Sequence, residues 1–419
     1  MSASRLVCAE PGCGRAADRD SAPARCAACG GLLEFSYGLQ PESDWRPRWR
    51  TRRAAGGPMD SSGVWRFREL LPDFDGVQPV TLGEGGTPMP EASRTAAWAG
   101  VAGLSVKHLG GNPTGSFKDL GMTVAISEAV RLGRRVVACA STGNTSSSMA
   151  AYAGRAGLRS VVLVPSGAVS LAKLAQALDF GSLILEAGTT FDDAFATLQE
   201  LAAEFGLYVV NSINPLRIEG QKTAILEILE QRDWRAPDLV ALPGGNLGNA
   251  SALGKGLREL HALGWLDRMP RILVSQAAGA SPFHRMWQSG TADLEAEPHP
   301  QTRATAIRIG RPANWRRARR VLELTQGLTA AVSEAEIAEA KRQLAREGIG
   351  CEPASAAAVA GVRQLRLRGE IPEEADLVAI LTGHQLKDTD YIVEGERPRR
   401  EPDRTADLRS QLAGWLKGR

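Results

Sequence analysis

Residues 111–122 read GNPTGSFKDLGM and set one lysine, Lys118, in a turn of glycine, serine, threonine and asparagine that runs directly into an amphipathic helix. Glycine lets the chain approach a ligand closely and adopt unusual dihedrals, while serine and threonine supply short-range hydrogen bonds. An amine in such a setting can be desolvated, lowering its pKa and freeing it for bonding to an aldehyde. The stretch alone fits either an ordinary loop-to-helix junction or a reactive lysine. The surrounding chain separates the two readings.

From about residue 101 onward, short β-rich runs alternate with helix-length segments. Strands are predicted at 135–140, 160–165, 182–186, 207–211, 238–243 and 271–276, and helices at 120–132 and 191–205, where apolar residues recur at i, i+3 and i+4. This alternation implies βαβ units and largely parallel sheets, an α/β fold. In such sheets ligands sit beyond the carboxyl ends of the strands. Two glycine-rich turns fall there: Ser141-Thr142-Gly143-Asn144-Thr145 after VVACA, and Gly244-Gly245-Asn246-Leu247-Gly248-Asn249 after DLVALP. Each can serve as a plain helix start or offer free N–H groups and a helix dipole to a phosphate. Neither has the P-loop lysine or the dinucleotide spacing, so nucleoside triphosphate and NAD fit poorly.

The 419 residues suffice for two domains and an appendage. Fifty basic against 47 acidic residues leave a formal charge of +3, too even to point to nucleic acid or a membrane surface as partner. MSASRL lacks an apolar signal core and no apolar run is long enough to span a bilayer, so a soluble cytoplasmic protein is expected. Arg316, Arg317, Arg319 and Arg320 read as the solvated face of a helix, residues 39–62 as a polar connector and 295–301 as an exposed loop. The charge-dense tail from Lys387 reads as surface structure or a partly disordered end.

Cys8, Cys13, Cys26 and Cys29 follow the pattern C-x4-C-x12-C-x2-C, with a glycine just after each pair. Four thiolates can close a structural zinc site, and a small zinc-ribbon-like module over residues 1–38 is expected. A ribbon without metal is the alternative. Cys139 and Cys351 lie in apolar runs and read as buried small hydrophobes.

With these residues in view, the chain resembles the threonine synthases, pyridoxal-phosphate enzymes of the tryptophan-synthase-β type. The resemblance runs from Gly63 to about Asp390 through GVWRFRELLP, LGEGGTP, NPTGSFKD, ASTGNTS, KLAQAL, VNSINPLRIEGQKTA, GGNLGN, ATAIRIG, EPASAA and LTGHQLKD. It implies two doubly wound, mainly parallel sheets (fold type II): a large cofactor-binding domain over 39–120 and 216–419, and a smaller mobile domain over 121–215. It implies Lys118 as the lysine bound to pyridoxal 5'-phosphate, Asn144 at the ring hydroxyl, Gly245, Asn246, Leu247, Gly248 and Asn249 around the cofactor phosphate, and Thr382 at the pyridine nitrogen. Ser141, Thr142 and Thr145 would hold the substrate carboxylate and its neighbours, and Asn211, Ser212 and Arg217 the substrate's own phosphate. The implied substrate is O-phosphohomoserine, a small phosphorylated amino acid, and the implied assembly a homodimer.

Arg217 by itself could offer a planar fork to a phosphate or start its helix with an ion pair to Glu219. His384 could carry a proton or orient a loop, and Glu352 could orient a loop or serve as a helix N-terminal charge. Leu120, His108-Leu109, Gly244 and Gln385 depart from the family pattern. Related enzymes that eliminate or replace a β substituent, cysteate synthase-like or serine/threonine dehydratase, are the rival reading. A catalytically idle binding protein is the third, and the intact Lys118 argues against it.

Overall fold

The computed structural model describes residues 4–41, 43–167, 171–188, 190–395 and 416. The chain divides into two compact units, residues 1–387 and 388–419. In the second, the helix Thr389–Gly395 is described; the remainder of the charged tail, apart from residue 416, lies outside the described residues. All that follows concerns the first unit.

Three sheets organise it. Strands β1 (Arg5–Cys8) and β2 (Leu33–Ser36) pair antiparallel in the cysteine-rich module. The remaining nine are β3 (Gly103–His108), β4 (Val136–Ala140), β5 (Arg159–Val164), β6 (Leu183–Glu186), β7 (Tyr208–Val209), β8 (Leu239–Pro243), β9 (Arg271–Ala277), β10 (Leu328–Val332) and β11 (Asp376–Leu381). They form a five-stranded sheet, β10-β9-β8-β11-β3, and a four-stranded sheet, β6-β5-β4-β7. Every pairing in both is parallel, as the β–α alternation requires. The six predicted strands are present within a few residues of their expected bounds. β3, β10 and β11 are additions that the sequence reading did not mark.

Most strands of the two parallel sheets are buried along much of their length, as strands covered on both faces are, while the edge strand β6 is largely exposed. One face of the five-stranded sheet packs against the alanine-rich helix Pro353–Leu367 (Ala356, Ala357, Val359 and Val362 against Leu377 and Ala379). The other face joins one continuous core with the lysine helix (Lys118–Arg131), the arginine helix (Pro215–Gln221) and the glycine-turn helix (Gly248–Ala262). Gly121 and Gly220 bring the first two helices into backbone contact: a Cβ on Gly220 would lie 1.8 Å from Leu120 O. Leu120, which departs from the family pattern, is buried in that seam.

Two expectations are corrected. The 39–62 connector contains a ten-residue helix, Arg46–Ala55, whose Trp49 is fully buried among Trp45, Phe67, Trp234 and Trp265. Arg317 is not on a solvated face. In the helix Trp315–Thr325 it shares the inward stripe with Val321, four residues on, and is buried.

Candidate active site

The lysine loop is stitched to the end of β11. Phe117 N–H donates to Thr382 C=O at 2.9 Å, and Ser116 bridges to Gly383. Asp119 closes the loop from within: its buried carboxylate accepts the Thr114 hydroxyl (2.6 Å), the Thr114 N–H (2.7 Å) and the Ser148 hydroxyl (2.6 Å). Burial pushes the Asp119 pKa up to about 6 against those hydrogen bonds. Lys118 then opens its helix, its Nζ 4.2 Å from the centroid of the Phe117 ring and without a hydrogen-bond partner among the described residues. Burial foremost, and then the Arg217 charge, push the amine down to about 7; Glu352 pulls the other way.

Glu352 turns out to be the centre of a hydrogen-bonded group with Asn144 and Thr382. It stands at the start of the Pro353–Leu367 helix but makes no capping hydrogen bond there. Its carboxylate instead accepts Asn144 Nδ2 (2.9 Å) and Thr382 Oγ1 (3.1 Å), drawing together from different sheets the two residues expected at the cofactor ring. Ser355 holds Thr382 through its hydroxyl (3.0 Å) and backbone N–H (2.8 Å). Burial raises the Glu352 pKa, against Asn144, Thr382, Lys387 and Lys118. The role of Glu352 was open in the sequence because both partners are remote along the chain.

The 244–249 turn is built for an anion. Leu247 takes a left-handed conformation (φ 61°) ahead of a 15-residue helix with no side-chain cap, which leaves the first N–H groups of that helix facing the turn. Gly245 lies against the backbone of Ala306 and Ile307 in ATAIRIG, where a Cβ would come within 3.0 Å of Ala306 O. Gly244 has the same kind of reason: a Cβ would meet Val274 Cγ1 at 2.5 Å. Both amide atoms of Asn249 are buried with no partner. Buried polar groups are ordinarily satisfied, so the free Nδ2 donor fits an anionic group resting in the turn. The residues present therefore suit the phosphate of pyridoxal 5'-phosphate, with Lys118 and the Asn144–Glu352–Thr382 group for its ring end.

Asn246 is committed to protein instead. Its amide donates to Ser212 Oγ (2.7 Å) and accepts Ala313 N–H (2.5 Å), joining the turn to the 211–217 segment. Asn211 is also engaged, clasping both the N–H (3.1 Å) and C=O (2.9 Å) of Ala140 at the end of β4. Arg217 is the opposite case. Its Nη1 donates to Val210 C=O at 2.7 Å, while Nε and Nη2 are buried with no partner. The alternative ion pair to Glu219 does not form: Glu219 is held by Lys222, Lys255 and Tyr37. Burial lowers the Arg217 pKa to about 10, leaving a charged, unpaired fork one turn from Lys118.

Ser141, Thr142 and Thr145, in the turn after β4, are half-buried, with Ser141 Oγ accepting Gly143 N–H at 3.2 Å. Lys387 reaches across from LTGHQLKD to Thr114 C=O (3.2 Å), Ser147 Oγ (3.2 Å) and Gln176 Oε1. Lys387 and Asn314, which bonds the C=O groups of Ser212 (3.4 Å) and Asn246 (3.3 Å), were not among the expected site residues. His384 forms a backbone bridge with Cys351, and its ring Nδ1 accepts Leu386 N–H at 3.3 Å.

In the N-terminal module the Sγ atoms of Cys8, Cys13, Cys26 and Cys29 all lie within 4.8 Å of one another. The pairs Cys8–Cys29 and Cys13–Cys26 are 3.4 and 3.8 Å apart. A zinc tetrahedron with bonds of about 2.3 Å has edges of roughly 3.8 Å, so the thiols are spaced for that ion. Gly31 is required beside them, since its Cβ would sit 3.2 Å from two of the sulfurs and 2.4 Å from Glu10.

Comparison with known proteins agrees with this geometry. Residues 80–383 match the family model "Pyridoxal-phosphate dependent enzyme". A threonine synthase of Methanosarcina acetivorans is 43% identical over 93% of this chain and 93% of its own. One from Methanocaldococcus jannaschii is 44% identical over 91% and 93%. One from a Synechocystis species is 46% identical over 80% and 87%. Among solved structures, the processed form of tomato (Solanum lycopersicum) threonine deaminase isoform 2 superposes with a TM-score of 0.62 at 19% identity, over 85% of this chain and 93% of that one. Maize serine racemase gives 0.61 at 19% identity over 80% and 94%; these two show the fold alone.

Proposed function

The chain belongs to the threonine synthases, within the pyridoxal-phosphate dependent enzymes, and from that premise we propose how its residues divide the conversion of O-phospho-L-homoserine and water into L-threonine and phosphate. Lys118 holds the cofactor. The Gly245–Asn249 turn takes the cofactor phosphate through its free N–H groups and Asn249. Asn144 faces the ring hydroxyl and Thr382 the pyridine nitrogen, both aligned by the Glu352 carboxylate. When bound, the cofactor supplies the electron sink that makes the substrate's carbon-bound protons acidic.

The rest is the work of the chain. Lys118 Nζ, at about 7, is balanced between base and acid at neutral pH, so one amine can take a proton from a substrate carbon and return it. Ser141, Thr142 and Thr145 orient the carboxylate end. Arg217 and Ser212 receive the phosphate to be released, and Asn211 serves them by clasping the end of β4. The Asn144–Glu352 and Lys387–Ser147 contacts join loops of the two parallel sheets, and closure of the 121–215 region over these contacts excludes bulk water until the addition step. The four cysteines hold a structural zinc ion. The near-even charge balance supports a small-molecule partner rather than nucleic acid or membrane, and the family resemblance supports a cytoplasmic homodimer.

The two buried, unpartnered nitrogens of the Arg217 guanidinium carry the assignment of a phosphorylated substrate, because a dehydratase has no use for them. The test incubates the cofactor-loaded protein with O-phosphohomoserine, O-phosphoserine plus sulfite, serine and threonine in parallel. Threonine and inorganic phosphate from the first alone is the expected result. Turnover of any of the others in its place overturns it.

A further inference from the structure

From residues 33–37 of the cysteine-rich module, two buried polar links and one half-buried link run into the supports of the groups assigned to substrate. β2 supplies the first two through its backbone C=O groups, and Tyr37, one residue past its end, supplies the third through its side chain. Leu33 C=O accepts the guanidinium of Arg317, whose Nη1 donates to Asn314 Oδ1 at 3.2 Å. Asn314 in turn holds the C=O groups of Ser212 and Asn246. Phe35 C=O accepts Lys255 Nζ at 2.6 Å, and that amine is paired with Glu259 (2.5 Å) and lies 3.5 Å from Glu219. Tyr37 donates its hydroxyl to Glu219 Oε2 at 2.6 Å.

Glu219 sits two residues beyond Arg217 on the same seven-residue helix and also accepts Lys222 Nζ at 2.6 Å. Burial alone would raise its pKa, but Lys222 and Lys255 hold it below the usual value, so it remains a charged anchor. A helix of two turns with a buried anion at its centre has little freedom to rotate while that anion is held. The free fork of Arg217 is aimed by the same backbone.

We propose that Tyr37 and Arg317 are positioning residues for the substrate phosphate: through Glu219 and Asn314, the cysteine-rich module sets the orientation of Arg217 and Ser212. The proposal rests on the reading that Arg217 and Ser212 receive that phosphate.

The test uses the full, cofactor-loaded chain and compares Tyr37→Phe, Arg317→Met, Arg217→Met and, as control, Arg5→Gln, an exposed side chain of β1. The measurements are kcat, KM for O-phosphohomoserine and the inhibition constant of inorganic phosphate. Tyr37→Phe is expected to raise KM and the phosphate constant by about tenfold, within the usual range of coupling between sites, with kcat within about twofold. A merely structural role lowers the active fraction, and so kcat, without moving either constant. Tyr37→Phe keeps the ring and its packing, so it reports even where Arg317→Met fails to fold. Unchanged constants in Tyr37→Phe alongside raised ones in Arg217→Met overturn the proposal. Unchanged constants in Arg217→Met overturn the phosphate assignment beneath it.

Discussion

Replacing Arg217 with methionine should make the phosphate-free protein more stable and its phosphate binding far weaker. Two guanidinium nitrogens, Nε and Nη2, are buried without partners, and Nη1 makes one 2.7 Å bond to Val210 C=O. An unsatisfied buried donor costs ~1–3 kcal/mol, and a hydrogen bond to a charged group contributes ~1.5–3 kcal/mol. Two orphans thus outweigh one bond. Methionine, unbranched and of similar reach, fills the space without donors, and the expected gain is ~1–3 kcal/mol, in line with the replacement of other buried charges by apolar side chains. The same change removes a charge-assisted fork from a bound phosphate, a loss of ~2–5 kcal/mol. At 1.4 kcal/mol per decade this is roughly 30- to 4000-fold in affinity. Urea unfolding of the cofactor-loaded protein, with and without inorganic phosphate, reads both effects. The parent should gain ~2.7 kcal/mol at phosphate one hundred times its Kd, and the variant at most ~0.9 kcal/mol at that concentration. A variant that loses stability without phosphate, or keeps the parent's phosphate-dependent gain, refutes the reasoning.

Cofactor capture by the stripped protein should rise with pH through an apparent pKa of about 7, because only the neutral Lys118 amine bonds an aldehyde; stopped-flow traces across pH 5.5–9 would show it, and Arg217→Met should move the midpoint upward. The sign for stability follows from linkage: the folded amine binds fewer protons than the unfolded one between about 7 and 10.5, so its charging penalty is full below about pH 7 and is relieved as pH rises through that window. Gly220→Ala should destabilise the fold by ~1–3 kcal/mol or more, since its Cβ would sit 1.8 Å from Leu120 O and must force the lysine and arginine helices apart; a parent-like urea midpoint would contradict the close packing. Metal analysis should find one zinc ion per chain, and Cys26→Ser should lower that occupancy at least tenfold; a zinc-free parent that folds normally would remove the ion from the module. Borohydride fixation and peptide mass spectrometry should place the cofactor on Lys118 and nowhere else.

Much of this protein was legible along the chain because its chemistry is local. A lysine set in small polar residues, glycine-rich turns after apolar runs, and two cysteine pairs each declare themselves within a few positions. The β–α alternation does the same for the parallel sheets. β3 and β10 were harder to read: β3 carries Ser105, Lys107 and His108 among its apolar residues, and β10 is the alanine-rich LTAAV, which becomes a strand by pairing with β9.

Which groups are consumed and which are left free was decided only by the tertiary structure. Asn211 and Arg217 are six residues apart and look equally available in sequence; folding commits the first to Ala140 and leaves the second with two bare nitrogens. Glu352 is a helix-start charge until it meets Asn144 and Thr382, 208 and 30 residues away. Arg317 looks like one of four solvated arginines until the helix turns it toward Leu33. The reason is range. Propensity and turn chemistry act over a few residues, whereas the satisfaction of a buried charge depends on every element packed around it, and those neighbours are assembled from the whole length of the chain.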